Sequence, residues 1–268
     1  MAMTTETKQD LVEWLLAAER DRREIEKITQ RYPDMTIEDA YEIQRQLIAK
    51  KEQAGERCIG LKLGLTSRAK QQMMGVHEAI YGYLTDGMLA TEWETIAHER
   101  FIHPKAEPEI AFLMGEDLQG TNVTAKDVLR ATRYVAPAIE IIDSRYENFR
   151  FTLPDVVADN CSSAAFVVGS RWVAPGSLDL ALAGVVMTIN GVIQTTGSGA
   201  AVLGHPAASV AWAVNKLGEQ GSGLKKGQII LSGALTEAVL FQPGDVIQVS
   251  VDGMGSVSFG CQSSRNEI

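Results

Sequence analysis

Glu107 and Glu109 stand two residues apart in HPKAEPEIAF, residues 103–112, and a third carboxylate, Glu140, stands between Ile139 and Ile141. Successive strand side chains point to opposite faces, so Glu107 and Glu109 share a face at a spacing of roughly 7 Å. Like charges on one face repel, and the apolar flanks FIHP and IAFLM argue against a fully wet strand. A divalent cation between them would reverse the sign of that interaction. Three carboxylates with water completing the shell suit a hard cation, Mg²⁺ or Mn²⁺. The competing reading is an edge strand that carries charges against aggregation. Pro108, which cannot donate to a sheet ladder, predicts an edge or a bulge at this point.

The other metal-ligating types do not converge. His77, His98, His103 and His205 are scattered and form no zinc pattern, and His205 before Pro206 reads as a helix-entry residue. Cys58, Cys161 and Cys261 are odd in number and lack ligand spacing, which predicts reduced thiols in a cytoplasmic protein.

The elements that must position these groups come in two textures. Leu11, Trp14, Leu15, Ala18, Ile25 and Ile28 recur at helical spacing, Pro33 interrupts, and Thr36 with Asp39 opens a second helix that Gly55 stops. From about residue 57, β-branched runs alternate with glycine turns. Asn190-Gly191 reads as a two-residue hairpin turn and Asp252-Gly253 as another reversal. One helix is predicted from Thr124 to before Pro137, and another from Pro206 to Gly218. Mixed strands without regular βαβ alternation predict an α+β fold with a curled mixed sheet. A helical N-terminal extension (1–56) would precede a catalytic region (57–268).

Bulk properties narrow the function classes. The 268 residues are 45% hydrophobic and 22% charged, as in ordinary globular proteins. A formal charge of −9 disfavours nucleic acid, which needs clustered Lys and Arg. No apolar run reaches membrane-spanning length, and MAMTTETKQD carries no export pattern.

Six blocks in order, GLKLGLTS, YGYLTDGM, HPKAEPEIAF, AIEIIDSRYENF, VADNCSS and GAAVLGHP, resemble the fumarylacetoacetate hydrolase superfamily. The resemblance runs from about residue 30 to the C-terminus. It points to the branch holding the 2-oxopent-4-enoate hydratases and the 4-oxalocrotonate (2-oxo-3-hexenedioate) decarboxylases of catechol meta-cleavage pathways. DSRYENFRF and RYPDMTIEDAYEIQ lean toward the decarboxylases. That family implies a β-roll catalytic domain. It also places a Mg²⁺ or Mn²⁺ ligand set on Glu107, Glu109 and Glu140, and a functional lysine at Lys62. Relatives usually carry a small residue where Pro108 stands, which bears on the bend of the strand.

The resemblance implies a dianionic 2-oxo acid substrate, and further roles follow as expectations. Lys62 contacts the bound oxyanion or carboxylate, or partners a glutamate. Asp86 handles protons, or is a turn residue before Gly87. Thr66 and Ser67 meet a substrate carboxylate at a helix start, where Ser67 is also a good N-cap. Arg145 pairs with the distal carboxylate, or with Asp143 or Glu147. Asp159, Asn160 and Ser162 form a polar cluster that contacts the substrate or backs the residues that do, with Ser162 the foremost candidate, while Tyr146 and Phe149 shape a dry pocket. A homo-oligomer and a complex with the pathway's hydratase are expected. Three rivals remain: the 2-hydroxypenta-2,4-dienoate hydratase with the same metal and 2-oxo acid handle, a C–C hydrolase using His77-Glu78, and a non-catalytic pairing subunit.

Overall fold

The computed structural model describes residues 3–262. Three helices come first: α1 (Thr5–Asp21), α2 (Ile28–Arg31) and α3 (Ile37–Gln53). Thr4 caps α1 by accepting from Thr7, and Thr36 and Asp39 close a reciprocal capping box on α3, which satisfies amides the first helical turn leaves open. Gly55, with φ of +105°, releases the chain into the strands.

The larger sheet is mixed. Its strands are β1 (Cys58–Gly64), β2 (Ile80–Thr85), β3 (Leu89–Ala90), β5 (Lys105–Met114), β7 (Thr132–Ile142), β8 (Ser163–Val168) and β12 (Ile229–Leu231), in the order β2-β1-β12-β5-β7-β8-β3, and β13 (Val239–Leu240) also pairs with β5. The second sheet runs β10-β9-β14-β15-β4, from β4 (Thr95–Ala97), β9 (Gly184–Ile189), β10 (Val192–Ser198), β14 (Val246–Val251) and β15 (Gly255–Gln262). Strands β6 (Leu118–Gln119) and β11 (Gly223–Leu224) make a separate pair. Between strands lie α4 (Arg68–Met74), α5 (Ala125–Ala131), α6 (Leu153–Ala158) and α7 (Pro206–Gly218). The fold is α+β, with a curled mixed sheet.

Asn190 and Gly191, both at positive φ, turn β9 into β10, as their pairing predicts. The helix expected from Thr124 ends early, at Ala131, and residues 132–142 are strand. Thr132, Tyr134 and Val135 instead join the ladder opposite Met114, Leu113 and Phe112. Cross-strand pairing outweighs the local helical pattern there.

Pro108 is at neither an edge nor a bulge. It sits inside β5, opposite Ile139 of β7. On its other side β12 covers Ala111–Leu113 and β13 covers Lys105–Ala106, so Pro108 falls in the break between them. Its carbonyl accepts from Leu235 in the crossing chain. Its missing donor therefore interrupts no strand pair.

The boundary expected at 56/57 falls between α3 and β1, yet the core runs through it. Leu11, Leu15, Ile43 and Leu47 share one buried cluster with Tyr81, Ile110, Cys161 and Val249. Tyr41 of α3 stacks on Tyr81 of β2, with centroids 4.7 Å apart. Apolar burial on both sides of the junction ties the helices to the sheet.

Candidate active site

Antiparallel pairing of β5 and β7 sets Glu107 directly opposite Glu140. Glu109, two residues along, takes the same face. The three carboxylates therefore meet, with one oxygen from each within 4.8 Å of the others. Glu109 and Glu140 are wholly buried and Glu107 nearly so. The Gly233 amide donates to Glu109 Oε2 at 2.6 Å, and Ser163 Oγ donates to Glu140 Oε1 at 3.1 Å. Glu109 Oε1 and Glu140 Oε2 are buried with no partner among the described residues.

Burial, then repulsion from Glu140 and Glu107, drives the Glu109 carboxyl well above the ordinary carboxylate range. Glu140 is raised by burial too, with Lys62 pulling the other way. Orphaned buried acceptors beside one another are strongly unfavourable unless a cation satisfies them. An all-oxygen donor set of this charge fits Mg²⁺ or Mn²⁺.

Lys62 projects from β1, which joins β5 through β12. Its Nζ lies 2.9 Å from Glu140 Oε1 and donates to the Cys161 carbonyl at 3.1 Å. Burial alone would lower its pKa. The charges of Glu140 and Glu107 outweigh that and hold it above the usual lysine value, so the ammonium stays protonated.

Beside this pair opens a cavity of about 140 Å³. One end is polar, with Lys62, Glu107, Thr66 and Ser162; the other is apolar, with Ile142, Phe149, Phe151 and Val156. Ser162 Oγ is buried and has no partner among the described residues. It belongs to a short turn in which Asn160, Cys161 and Ser162 all take positive φ, 45°, 54° and 57°. Thr66 is held from behind, its carbonyl accepting from Leu203 at 2.9 Å.

Several sequence candidates lie elsewhere. Asp86 is at the far end of β2, where it accepts from the Arg57 amide and guanidinium at 2.9 and 2.8 Å and does not line the cavity. Its carboxylate anchors the turn before Gly87 to Arg57, away from the cavity where proton handling is expected. Arg145 and Asp159 form a buried ion pair: Nε donates to Asp159 Oδ1, and the second nitrogen donates to the Asp159 carbonyl at 2.6 Å. Arg145 faces a different cavity with Glu19, Arg22 and Arg100, and neither residue lines the cavity beside Lys62. The partner is Asp159 rather than Asp143 or Glu147. Burial pushes the Asp159 carboxyl up to about 7, with Arg145 opposing it. Ser67 precedes the seven-residue α4, its carbonyl accepting from the Gln71 amide at 3.0 Å, and does not line the cavity. Tyr146 is buried with its hydroxyl on the Asp155 carbonyl, outside the cavity. His205 caps α7 through Nδ1, as its place before Pro206 predicts. His77 and Glu78 are exposed and apart from the cavity.

Three contributors escape sequence reasoning. Gly233 supplies the amide that holds Glu109, at φ of +108°, and a Cβ there would lie 2.1 Å from Thr66 Oγ1. Its only signal is a glycine just after the strand run QIIL. Cys161 contributes a backbone carbonyl, which no side-chain pattern announces. Phe151 completes the apolar wall beside Phe149.

Residues 65–260 match the model of the fumarylacetoacetate (FAA) hydrolase C-terminal family. A 4-oxalocrotonate decarboxylase of Pseudomonas sp. (strain CF600) is 46% identical over 248 residues, 92% of this chain and 94% of that protein. A 2-hydroxyhexa-2,4-dienoate hydratase of Comamonas testosteroni is 44% identical over 246 residues, 91% and 93% of the two chains. The solved 4-oxalocrotonate decarboxylase from Pseudomonas putida G7, complexed with magnesium and adipate, superposes with a TM-score of 0.95 at 43% identity, covering 97% of this chain and 99% of that one.

Proposed function

The chain belongs to the fumarylacetoacetate hydrolase family, and from that premise we propose that it decarboxylates 4-oxalocrotonate (2-oxo-3-hexenedioate) to 2-hydroxypenta-2,4-dienoate and CO₂ in aromatic-ring catabolism. The observation that carries this reading is the buried trio Glu107, Glu109 and Glu140, with two open oxygens, beside a protonated Lys62 at one end of a half-apolar cavity. The decarboxylases named above support it, the solved one with magnesium bound.

Magnesium held by the three glutamates would act as a Lewis acid toward the 2-oxo acid end of the substrate. The chain's own residues do the rest. The bond from C5 to the C6 carboxyl breaks, and its electron pair forms the C4–C5 double bond. The C3–C4 pair moves to C2–C3, and negative charge collects on the C2 oxygen, which then takes up a proton from solvent to give the 2-hydroxydienoate. The Lys62 ammonium, fixed by Glu140 and the Cys161 carbonyl, places a positive charge where that charge develops. Ser162 Oγ has its hydrogen-bonding capacity free for a substrate oxygen. Phe149, Phe151 and Val156 keep water from the departing carboxylate, which favours its release as neutral CO₂.

No helix among the described residues is long and apolar enough to cross a membrane. The cysteines are free thiols, which agrees with work in a reducing cytoplasm. Exposed Leu182, Val192, Ile193 and Val246 suit a homo-oligomer. The hydratases among the relatives make a pathway hydratase a fitting partner.

The test is incubation of the purified protein with magnesium and either 2-oxo-3-hexenedioate or 2-hydroxypenta-2,4-dienoate, with products identified by mass. CO₂ release from the first, abolished by EDTA and restored by magnesium, is expected. Turnover of the second alone would make the protein a hydratase.

A further inference from the structure

The residues that wall the cavity between 145 and 162 are held from outside the matched family region of 65–260. The N-terminal helices and the link between α1 and α2 grip this segment at several places, three of which bear on the cavity wall. Backbone bonds join Ile25 to Arg145 and Glu147 at 2.8 and 3.0 Å. Thr29 donates its amide and hydroxyl to the buried Asp155 at 2.8 and 2.7 Å. The third grip is Gln44 of α3, and it reaches nearest to the chemistry.

Gln44 is wholly buried on the face of α3 that also carries Ala40, Tyr41, Ile43, Leu47 and Ile48. A leucine would fill such a site without the desolvation penalty of an amide. The amide is used instead to join separate segments. Its Nε2 donates to the Tyr81 carbonyl of β2 at 3.0 Å and to the Val157 carbonyl of α6 at 2.9 Å, and it lies 3.8 Å from Cys161 Sγ. Cys161 Sγ in turn donates to the same Tyr81 carbonyl at 3.2 Å. Asn160 is strapped to Tyr83 through both its amide atoms, at 2.8 and 2.9 Å.

These bonds surround three consecutive non-glycine residues in the left-handed region, a conformation that L-residues adopt only when their surroundings over-determine it. The same conformation delivers the Cys161 carbonyl to Lys62 Nζ and brings Ser162 into the cavity wall. If the turn relaxed toward ordinary backbone angles, both groups would swing away from the reacting space. We propose that Gln44 is a positioning residue for the reaction: it locks the turn Asn160–Ser162, and through that turn it orients Lys62 and Ser162 toward the substrate. The inference rests on the reading of this cavity as the catalytic one, but its test does not depend on which reaction occurs there.

The test replaces Gln44 with methionine, which keeps length and packing and removes both donors. Turnover is measured on whichever of the two candidate substrates the natural chain consumes, so the identity of the reaction is decided by the natural chain and the role of Gln44 by the ratio. Displacing a catalytic group by about 1 Å lowers rate about 100-fold. In Gln44→Met we therefore expect kcat to fall by about that factor, KM to change far less, and calorimetric affinity for magnesium alone to stay natural, since no ligand is touched. Natural kcat in the variant would overturn the proposal, and so would a loss confined to KM or to magnesium affinity. A second measurement needs neither turnover nor a folded variant. In the natural chain the Ser162 and Asp143 amides, bonded to Asp159 and Ser162 carbonyls at 2.9 and 2.8 Å, should exchange with deuterium as slowly as those of β5. Fast exchange there would show the turn to be loose and overturn the proposal as well.

Discussion

The two ends of the cavity are built on different principles. At the metal end, position follows from strand register: Glu107 opposite Glu140, Glu109 two residues on, Lys62 on a strand joined through β12. Sheet pairing sets all four at once, and a one-residue slip would turn the glutamates of that strand to the opposite face. At the wall, beyond Ile142 at the end of β7, no ladder acts. Phe149 lies in a short turn where it and Asn148 have φ of 55°, and Ser162 follows two more left-handed residues. Side-chain bonds from Thr29, Asn160 and Gln44 supply the order that register supplies elsewhere. The difference teaches that the metal end should tolerate changes beside it and fail when a ligand is lost. The wall should feel changes made far away.

The largest effect belongs to a ligand. Losing even an outer-shell partner weakens a metal site 10- to about 100-fold, so Glu109→Gln should lower activity by more than about 100-fold and abolish magnesium-induced stabilisation. Stability should move in the opposite sense when chelator is present. The amide removes one of three mutually repelling buried carboxylates, so Glu109→Gln should melt above the natural chain in EDTA. Calorimetry and thermal melts with and without magnesium check both halves. Unaltered magnesium affinity would break the assignment of the metal end.

At the wall the corresponding change is to stability rather than chemistry. Arg145→Leu leaves Asp159 buried without its guanidinium, and removal of one partner from a buried pair costs about 3–5 kcal/mol. Urea unfolding should show that loss. At low temperature, where the variant still folds, KM should stay close to natural, because Arg145 faces another cavity. Unchanged stability with a large rise in KM would return Arg145 to the substrate and dissolve the contrast between the ends.

The same contrast explains what can be read from sequence. Glu107 and Glu109 are legible because strand alternation alone places them on one face. Glu140 is legible as a carboxylate set between isoleucines, while Lys62 becomes legible only through the resemblance, since no pattern within one strand reveals its partner's register. Arg145, Asp159 and Asp86 misled because a charged residue beside a motif looks functional until its own partner is seen. Here those partners are each other, and Arg57. Gly233 and the Cys161 carbonyl act through backbone atoms, which every residue carries and no residue type marks. Gln44 reads as an ordinary polar position within a helix, and only the packing of α3 on β2 and α6 shows it buried. Strand identity and most turns are local and open to inspection; the grips join residues between 37 and 126 positions apart.

The smallest effect tests a hold at the metal end that is not register. Thr66 is fixed by Leu203, which leads through Gly204 into His205 and the cap of α7. The His205 Nδ1 accepts from the Ala207 amide at 3.0 Å, so it must be unprotonated to cap. Burial holds this imidazole below its ordinary value of 6.5, with Asp179 opposing. As pH falls, the unfolded chain takes up the proton before the folded one does, so the cap's stability is present above about 6.5 and is lost below it. A cap is worth about 1 kcal/mol, and asparagine caps without titrating. His205→Asn should therefore match the natural chain at alkaline pH and exceed it by up to about 1 kcal/mol on the acid side. Melts of the two proteins across that range decide it. Parallel curves would mean that this loop, like the glutamates it backs, is held by something stronger than its cap.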